Sequence, residues 1–157
     1  MAPPLLLDLS QIDLDQVVCT AKQIEQVNPH RGQMRLLDGI IWLEENFDSA
    51  LAYHDVADDE FWVPGHIPGR PIFPGVLMIE TAAQLASFLF IKRLGQKCFT
   101  GFAGVDKVRF RGQVVPGDRF FLLCQVVNFR PRRSICDVQG IVNSKLVFEG
   151  TVTGMPI

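Results

Sequence analysis

The strongest pattern in the chain is an apolar run from Val76 to Ile91, which predicts one long buried helix. Its only polar residues are Glu80, Thr81, Gln84 and Ser87. A helix that is apolar on almost every side belongs in the centre of a fold. The run is too short for a membrane span, and polar residues lie near its middle. We therefore expect a central core helix and no membrane insertion.

The second half of the chain follows a different pattern, which predicts strands joined by short turns. Four segments rich in β-branched and aromatic residues are each bounded by turn residues. They are 98–110, 119–129, 133–142 and 145–153. Two further β-segments are predicted within 36–56, and one or two short peripheral helices within 8–27. Consecutive strands with short turns favour an antiparallel sheet, so we expect a curved sheet wrapped around the helix.

Composition and charge narrow the class of protein. At 157 residues, with 48% hydrophobic and 20% charged residues, the chain is typical of one globular domain. The net charge of −2 gives no argument for binding nucleic acid or an anionic membrane. The four cysteines form no C-x-x-C pair, so we expect reduced thiols and no metal site. The first ten residues lack the basic region of a signal peptide, and we expect a cytoplasmic protein.

A rigid loop leads into the predicted helix and carries the first candidate for chemistry. Residues 63–75 hold four prolines, three glycines and one histidine, His66. This density of proline and glycine excludes a helix or a central strand. Since histidine titrates nearest neutrality, His66 can take a proton at physiological pH. At the helix start, the free N–H groups of Gly75 and Val76 can hold an oxygen that gains negative charge.

The second candidate, Glu80, lies on the second turn of the helix. Burial would disfavour its charged form and so let it act as an acid. Gln84, one turn further along the same face, can orient that carboxyl by a hydrogen bond. A base, an acid and an oxyanion donor are what proton abstraction beside a carbonyl, with loss of a hydroxyl, requires.

Each of these residues also has a structural explanation. A histidine in a proline-rich loop is more often structural than catalytic, and a glutamate in an apolar helix can pair with an arginine. Arginines available for such a pair are Arg70, Arg109 and Arg111. The other two histidines, His30 in a polar turn and His54 near a strand end, fit a structural or surface role.

Three stretches of the chain carry motifs in a fixed order. The first is GHIPGRPIFPGVL at 65–77 with IETAAQ at 79–84. The second is NPHR at 28–31 with LLD at 36–38, and the third is FAGVDKVRFR at 102–111 with PGD at 116–118. Together they resemble the motifs of bacterial 3-hydroxyacyl-acyl-carrier-protein dehydratases. The resemblance predicts a single dehydratase domain over 23–157, preceded by an N-terminal extension, 1–22.

The resemblance implies an α+β hotdog fold, in which an antiparallel sheet wraps around a long central helix. It implies a homodimer, or a trimer of dimers, in which His66 of one subunit faces Glu80 of its neighbour. The histidine then takes the α-proton of a (3R)-3-hydroxyacyl thioester. The glutamate, directly or through water, protonates the departing hydroxyl to give the trans-2-enoyl thioester. The N–H at Gly75 binds the thioester carbonyl. The resemblance implies no metal or organic cofactor, and it implies that the substrate arrives on a phosphopantetheine arm.

The implied partner is acyl carrier protein, and the implied pathway is fatty acid biosynthesis. Carrier protein is acidic, so its docking surface should be basic. The candidate docking residues are Lys107, Arg109 and Arg111. A hotdog acyl-thioesterase and a non-catalytic module that binds acyl chains or a partner enzyme remain alternatives. Coenzyme A could also replace carrier protein, since both present the same pantetheine arm.

Overall fold

A computed structural model describes all 157 residues and contains one seven-stranded antiparallel sheet and one long helix. Its elements are β1 (Cys19–Thr20), α1 (Ala21–Glu25), β2 (Gly39–Leu43), β3 (Ser49–Asp55), α2 (Gly75–Leu94), β4 (Thr100–Phe110), β5 (Arg119–Arg130), β6 (Arg133–Val142) and β7 (Lys145–Pro156). The strand order is β1-β2-β3-β5-β6-β7-β4. The predicted sheet wrapped around a helix is confirmed.

Helix α2 is the centre of the core. It begins directly after Pro74 and ends at Gly95, whose φ of 74° is the left-handed conformation that closes a helix. An 18-residue window of this 20-residue helix has a mean hydropathy of 1.4, which by length and composition would suffice to cross a membrane. More than half of this apolar window, 56%, is buried inside the protein. The helix contacts strands β3 to β7, so the sheet covers much of its apolar surface.

Strand β4 lies at one edge of the sheet, where it pairs only with β7. Its other edge carries backbone N–H and C=O groups that no strand of this chain satisfies. Large apolar side chains in and beside β4 are exposed: Phe99, Phe102, Val105 and Phe110. An exposed apolar edge strand is a surface prepared for pairing with another strand.

The outer face of the sheet is apolar as well, and the N-terminal segment covers it. Because side chains alternate between the two faces of a strand, one set points away from α2. This outer cluster consists of Ile41, Leu51, Leu123 and Ile141. The leucines and isoleucine of residues 6–14 pack against it. Gln139 fastens the segment, since its side chain accepts from the Leu6 N–H at 2.8 Å and donates to the Pro4 carbonyl at 3.0 Å.

Removing residues 2–14 should destabilise the fold, because it exposes the outer cluster to water. We expect the free energy of unfolding to fall by roughly 3 kcal/mol, the scale of one or two large apolar side chains leaving the interior. Urea denaturation followed by circular dichroism measures this change. Removing only residues 2–3 is the matched control, since it keeps both hydrogen bonds to Gln139. An unchanged urea midpoint after the longer deletion would contradict the packing role of this segment.

Candidate active site

His66 lies on the proline-rich loop before α2, and its ring is exposed. Its Nδ1–H donates to the carbonyl of Ile72 at 2.7 Å, and its backbone N–H donates to the carbonyl of Trp62 at 2.8 Å. Since a carbonyl can only accept, the Nδ1 atom must carry the proton. The Nε2 atom of a neutral His66 is therefore free to accept a proton from a ligand.

A buried charged cluster anchors the base of this loop. His54 faces a carboxylate with each ring nitrogen: Nδ1 is 3.0 Å from Asp38 Oδ2, and Nε2 is 2.9 Å from Glu60 Oε1. The other oxygen of Glu60 accepts from the indole N–H of Trp62 at 2.7 Å. The rings of Trp62 and His54 each lie 5.5 Å from the ring of Phe73. The cluster thus holds residues on both sides of His66, and His54 has a structural role.

The opposite charges in the cluster stabilise one another. Burial by itself lowers the pKa of His54, but its hydrogen bonds to Asp38 and Glu60 and their negative charges raise it to about 9. Burial by itself raises the pKa values of the two carboxyls, but hydrogen bonds from His54 and from nearby N–H groups bring both below their usual values. At neutral pH the cluster is therefore an imidazolium held between two carboxylates.

Glu80 is held by the side chain that the sequence predicted. The Gln84 amide donates to Glu80 Oε1 at 3.0 Å and to the Met34 carbonyl at 2.7 Å, while its oxygen accepts from the Leu36 N–H at 3.0 Å. Gln84 is buried, whereas the Glu80 side chain is 29% exposed. The Glu80 carboxyl is thus less deeply buried within one chain than the apolar helix pattern suggested.

His30 also lies beside this carboxyl, although its polar turn favoured a structural or surface role. Its Nε2 lies 3.6 Å from Glu80 Oε1. The turn that carries it is tied to α2 by the Asn28 side chain, which donates to the Gln84 carbonyl at 2.8 Å. Burial, reinforced by the charge of Arg31, lowers the pKa of His30, although the charge of Glu80 opposes this shift. The Pro-His-Arg motif was the only feature of the sequence that pointed to His30, and the motif does not predict which side chain its ring contacts.

A cavity of about 180 Å³ begins at Glu80 and runs between α2 and strands β4, β6 and β7. Its wall includes His30, Glu80, Gln84, Phe90, Phe102 and Cys136. His66, Gly75 and Val76 are not part of this wall. One chain therefore brings the acid candidate together with Gln84 and His30, but it does not bring His66 to them.

The start of α2 is open to a ligand and needs glycine at its first position. Pro74, the residue before the helix, offers no side-chain acceptor to the first N–H groups, those of Gly75 and Val76. A Cβ on Gly75 would lie 2.8 Å from the ring of Phe110, too close for any other residue without movement of that ring. The predicted oxyanion donors therefore exist as free groups at the surface of the chain.

The predicted docking residues differ in whether their charges are already paired within the chain. Arg111 follows the end of β4 and is bound to Glu149, with its Nη2 2.5 Å and its Nε 3.1 Å from Oε1. Arg109 and Lys107 are exposed, and Arg109 donates only to the Val108 carbonyl.

All four cysteines are free, and no group of three or more His, Cys, Asp or Glu side chains is arranged to hold a metal ion.

The His54 cluster should make stability depend on pH. The pKa of His54 is raised from 6.5 to about 9, so its contribution is complete below pH 6.5 and is lost as the pH rises through 9. This difference in the pKa of His54 corresponds to about 3 kcal/mol of the free energy of unfolding. His54→Gln should lower the free energy of unfolding by about this amount at pH 6.5 and flatten the decline towards pH 9. Urea unfolding at a series of pH values measures both effects.

His66→Ala is the matched control for this measurement, because the ring of His66 is exposed and outside the cluster. It should keep the alkaline decline of the wild type. If His54→Gln declined with the same slope as the wild type, the imidazolium would not be the source of the pH dependence.

Comparison with known proteins agrees with the fold and the motifs. The FabA-like domain model matches residues 28–151. The chain is 37% identical over 133 residues to the 3-hydroxyacyl-[acyl-carrier-protein] dehydratase FabZ of Streptococcus equi subsp. zooepidemicus, covering 84% of this chain and 94% of that protein. It is 39% identical over 137 residues to the FabZ dehydratase of Aromatoleum aromaticum, covering 83% and 92%.

Among solved structures, the dehydratase heterocomplex ApeI:P from Xenorhabdus doucetiae aligns with a TM-score of 0.73. The alignment covers 85% of this chain and 90% of the other at 15% identity, so it bears on the fold alone. The sheet wrapped around α2 is the hotdog fold, and the match over residues 28–151 places the chain in the FabA-like domain family.

Proposed function

We propose that this protein is a hydro-lyase that dehydrates (3R)-3-hydroxyacyl thioesters on acyl carrier protein to trans-2-enoyl thioesters, as a step of fatty acid biosynthesis. The observation that carries the proposal is the Glu80 carboxyl, held by Gln84 at the end of a largely apolar cavity. The chain's relatives of known activity are dehydratases of this substrate class.

In the proposed reaction, His66 and Glu80 divide the proton transfers. His66 Nε2 takes the α-proton of the thioester, and the electrons of that C–H bond form the new double bond. The C–O bond to the 3-hydroxyl breaks as Glu80 protonates the oxygen, which leaves as water. The N–H groups of Gly75 and Val76 bind the thioester carbonyl, where negative charge develops. The reaction needs only these proton transfers, so we propose no cofactor beyond the phosphopantetheine arm.

The proposed site is shared between two chains. His66 lies outside the cavity wall that includes Glu80, which supports a site to which a second subunit supplies the histidine. The free edge of β4 supports antiparallel pairing of two β4 strands, which would continue the sheet and cover Phe99, Phe102 and Val105. A two-fold arrangement of this kind builds two equal sites, each with His66 from one chain and Glu80 from the other. We propose a homodimer as the active unit, which could assemble further into a trimer of dimers.

The proposed carrier-protein surface is the basic region around the end of β4. Lys107 and Arg109 are exposed there, whereas Arg111 is neutralised by Glu149 and is the weaker candidate. We also propose a cytoplasmic location for this activity. A thioesterase would need a carboxylate that activates water against the thioester carbonyl, and the hydrogen bonds that hold Glu80 give no reason to prefer that role.

The first prediction from this mechanism concerns the reaction itself. With a 3-hydroxyacyl-carrier-protein, the wild type should produce the ultraviolet absorbance of an enoyl thioester. His66→Ala and Glu80→Gln should each lower kcat by about 10²–10⁴, the usual contribution of a general base or acid. Glu45→Gln, an exposed carboxyl-to-amide change, is the matched control and should retain full activity.

Other outcomes of this experiment would decide between the alternatives. Release of free carrier thiol without enoyl absorbance would indicate a thioesterase. Binding of the acyl carrier without any turnover, for short and long chains and for coenzyme A thioesters, would indicate a non-catalytic module.

The second prediction concerns the two-chain site. A mixed dimer of one His66→Ala chain and one Glu80→Gln chain contains one intact site and one doubly altered site. When isolated through two different affinity tags, it should have about half the wild-type kcat per dimer. Each parent homodimer should remain inactive. An inactive mixed dimer, with both chains shown to be present, would place the site within a single chain.

A further inference from the structure

The hydrogen bonds of Gln84 fix the role of one oxygen of Glu80. The Leu36 N–H can only donate and the Met34 carbonyl can only accept, so the amide oxygen faces Leu36 and the amide nitrogen faces Met34. The remaining N–H of this nitrogen points at Glu80 Oε1, 3.0 Å away. Because both amide hydrogens are used as donors, Oε1 must present a lone pair whether Glu80 is charged or neutral.

The same oxygen determines which nitrogen of His30 carries the proton. His30 Nε2 lies 3.6 Å from Oε1, a few tenths of an ångström beyond a direct hydrogen bond. Catalytic hydrogen bonds are often long without substrate and tighten when it binds. When Glu80 is a carboxylate, Oε1 can only accept, so Nε2 faces it as the donor. His30 Nδ1 is buried without a partner, and a lone pair is tolerated there more readily than an N–H.

We propose that His30 is a positioning residue for the acid: when substrate binds, its Nε2–H joins the amide N–H of Gln84 in donating to Oε1 of Glu80, and the two donors confine the acidic proton to Oε2. Oε2 accepts no hydrogen bond within the chain and is the oxygen left for the substrate hydroxyl. When Glu80 gives up this proton, the two donors stabilise the carboxylate that forms. The inference rests on the proposed role of Glu80 as the acid.

Few other charges act on this pair. Arg31 is adjacent in sequence, but its guanidinium donates to the carbonyls of Glu25, Asn28 and His30 and makes no ion pair with Glu80. Cys136 on β6 is the only other titratable side chain in the cavity wall. In the proposed dimer, the partner subunit's His66 would be the remaining titratable group. Burial lowers the pKa of His30, which favours the neutral ring that this arrangement needs.

Two substitutions of His30 test the donor role. His30→Phe keeps a ring but removes the donor, and His30→Gln restores an N–H at about the position of Nε2. We expect His30→Phe to lower kcat about 10–100-fold, as for loss of one hydrogen bond to a charged group, with little change in KM. The alkaline limb of its pH–rate profile should move to higher pH by roughly one unit, because a carboxyl with fewer donors keeps its proton longer.

His30→Gln should recover most of kcat and return the limb to its wild-type position. Gln33→Ala, an exposed change in the same turn region, is the control and should match the wild type. A His30→Phe enzyme with wild-type kcat and an unmoved limb would overturn the inference. Equal impairment of the Phe and Gln variants would also overturn it, since the ring rather than the donor would then matter.

Glu80→Gln, measured alongside, separates this inference from the proposed function. If Glu80→Gln retains wild-type activity, Glu80 is not the acid and the proposed site fails. If Glu80→Gln is inactive while His30→Phe behaves as the wild type, the proposed site stands and the role of His30 alone is wrong.

Discussion

The constraint on which this structure depends is the burial of an almost wholly apolar helix inside a single sheet. A polar side chain on such a helix must find a partner, because an unpaired buried donor or acceptor costs about 1–3 kcal/mol. The Thr81 hydroxyl donates to the Leu77 carbonyl at 2.6 Å, within the helix itself. The Gln84 amide instead bonds the Met34 carbonyl, the Leu36 N–H and the Glu80 carboxyl. One oxygen of Glu80 accepts no hydrogen bond within the chain, and Glu80 lies in the wall of the cavity.

One short segment, residues 34–38, helps to position both proposed catalytic side chains, Glu80 and His66. The Met34 carbonyl and the Leu36 N–H hold Gln84, which in turn holds Glu80. Asp38, two residues later, holds His54 and so the loop that carries His66. The helix carboxyl and the loop imidazole are thus both positioned by backbone and side chains from the same stretch, although they serve different sites in the proposed dimer. Movement of this segment would disturb both.

Local patterns in the sequence predicted the elements better than their arrangement. The apolar run and the Pro74–Gly75 break predicted α2, and the spacing of Glu80 and Gln84 predicted their hydrogen bond, because both effects act within one or two helical turns. The contact between His30 and Glu80 spans fifty residues, and no local period encodes it. Strand order escaped prediction for the same reason: β4 and β5 are neighbours in sequence, but β4 pairs with β7 at the far edge of the sheet. The boundary of the predicted extension at residue 22 stays a prediction.

The N-terminal segment has a consequence for how copies of this chain meet in a crowded solution. With residues 6–14 seated on the outer cluster, contact between two sheets face to face would first require that segment to detach from each chain. Contact along the edge of β4 meets no such barrier, because its backbone groups and phenylalanines are already bare. Edge-on encounters therefore have a kinetic advantage over face-on ones. The segment thus covers the outer face of the sheet and leaves the edge of β4 open for the proposed dimer.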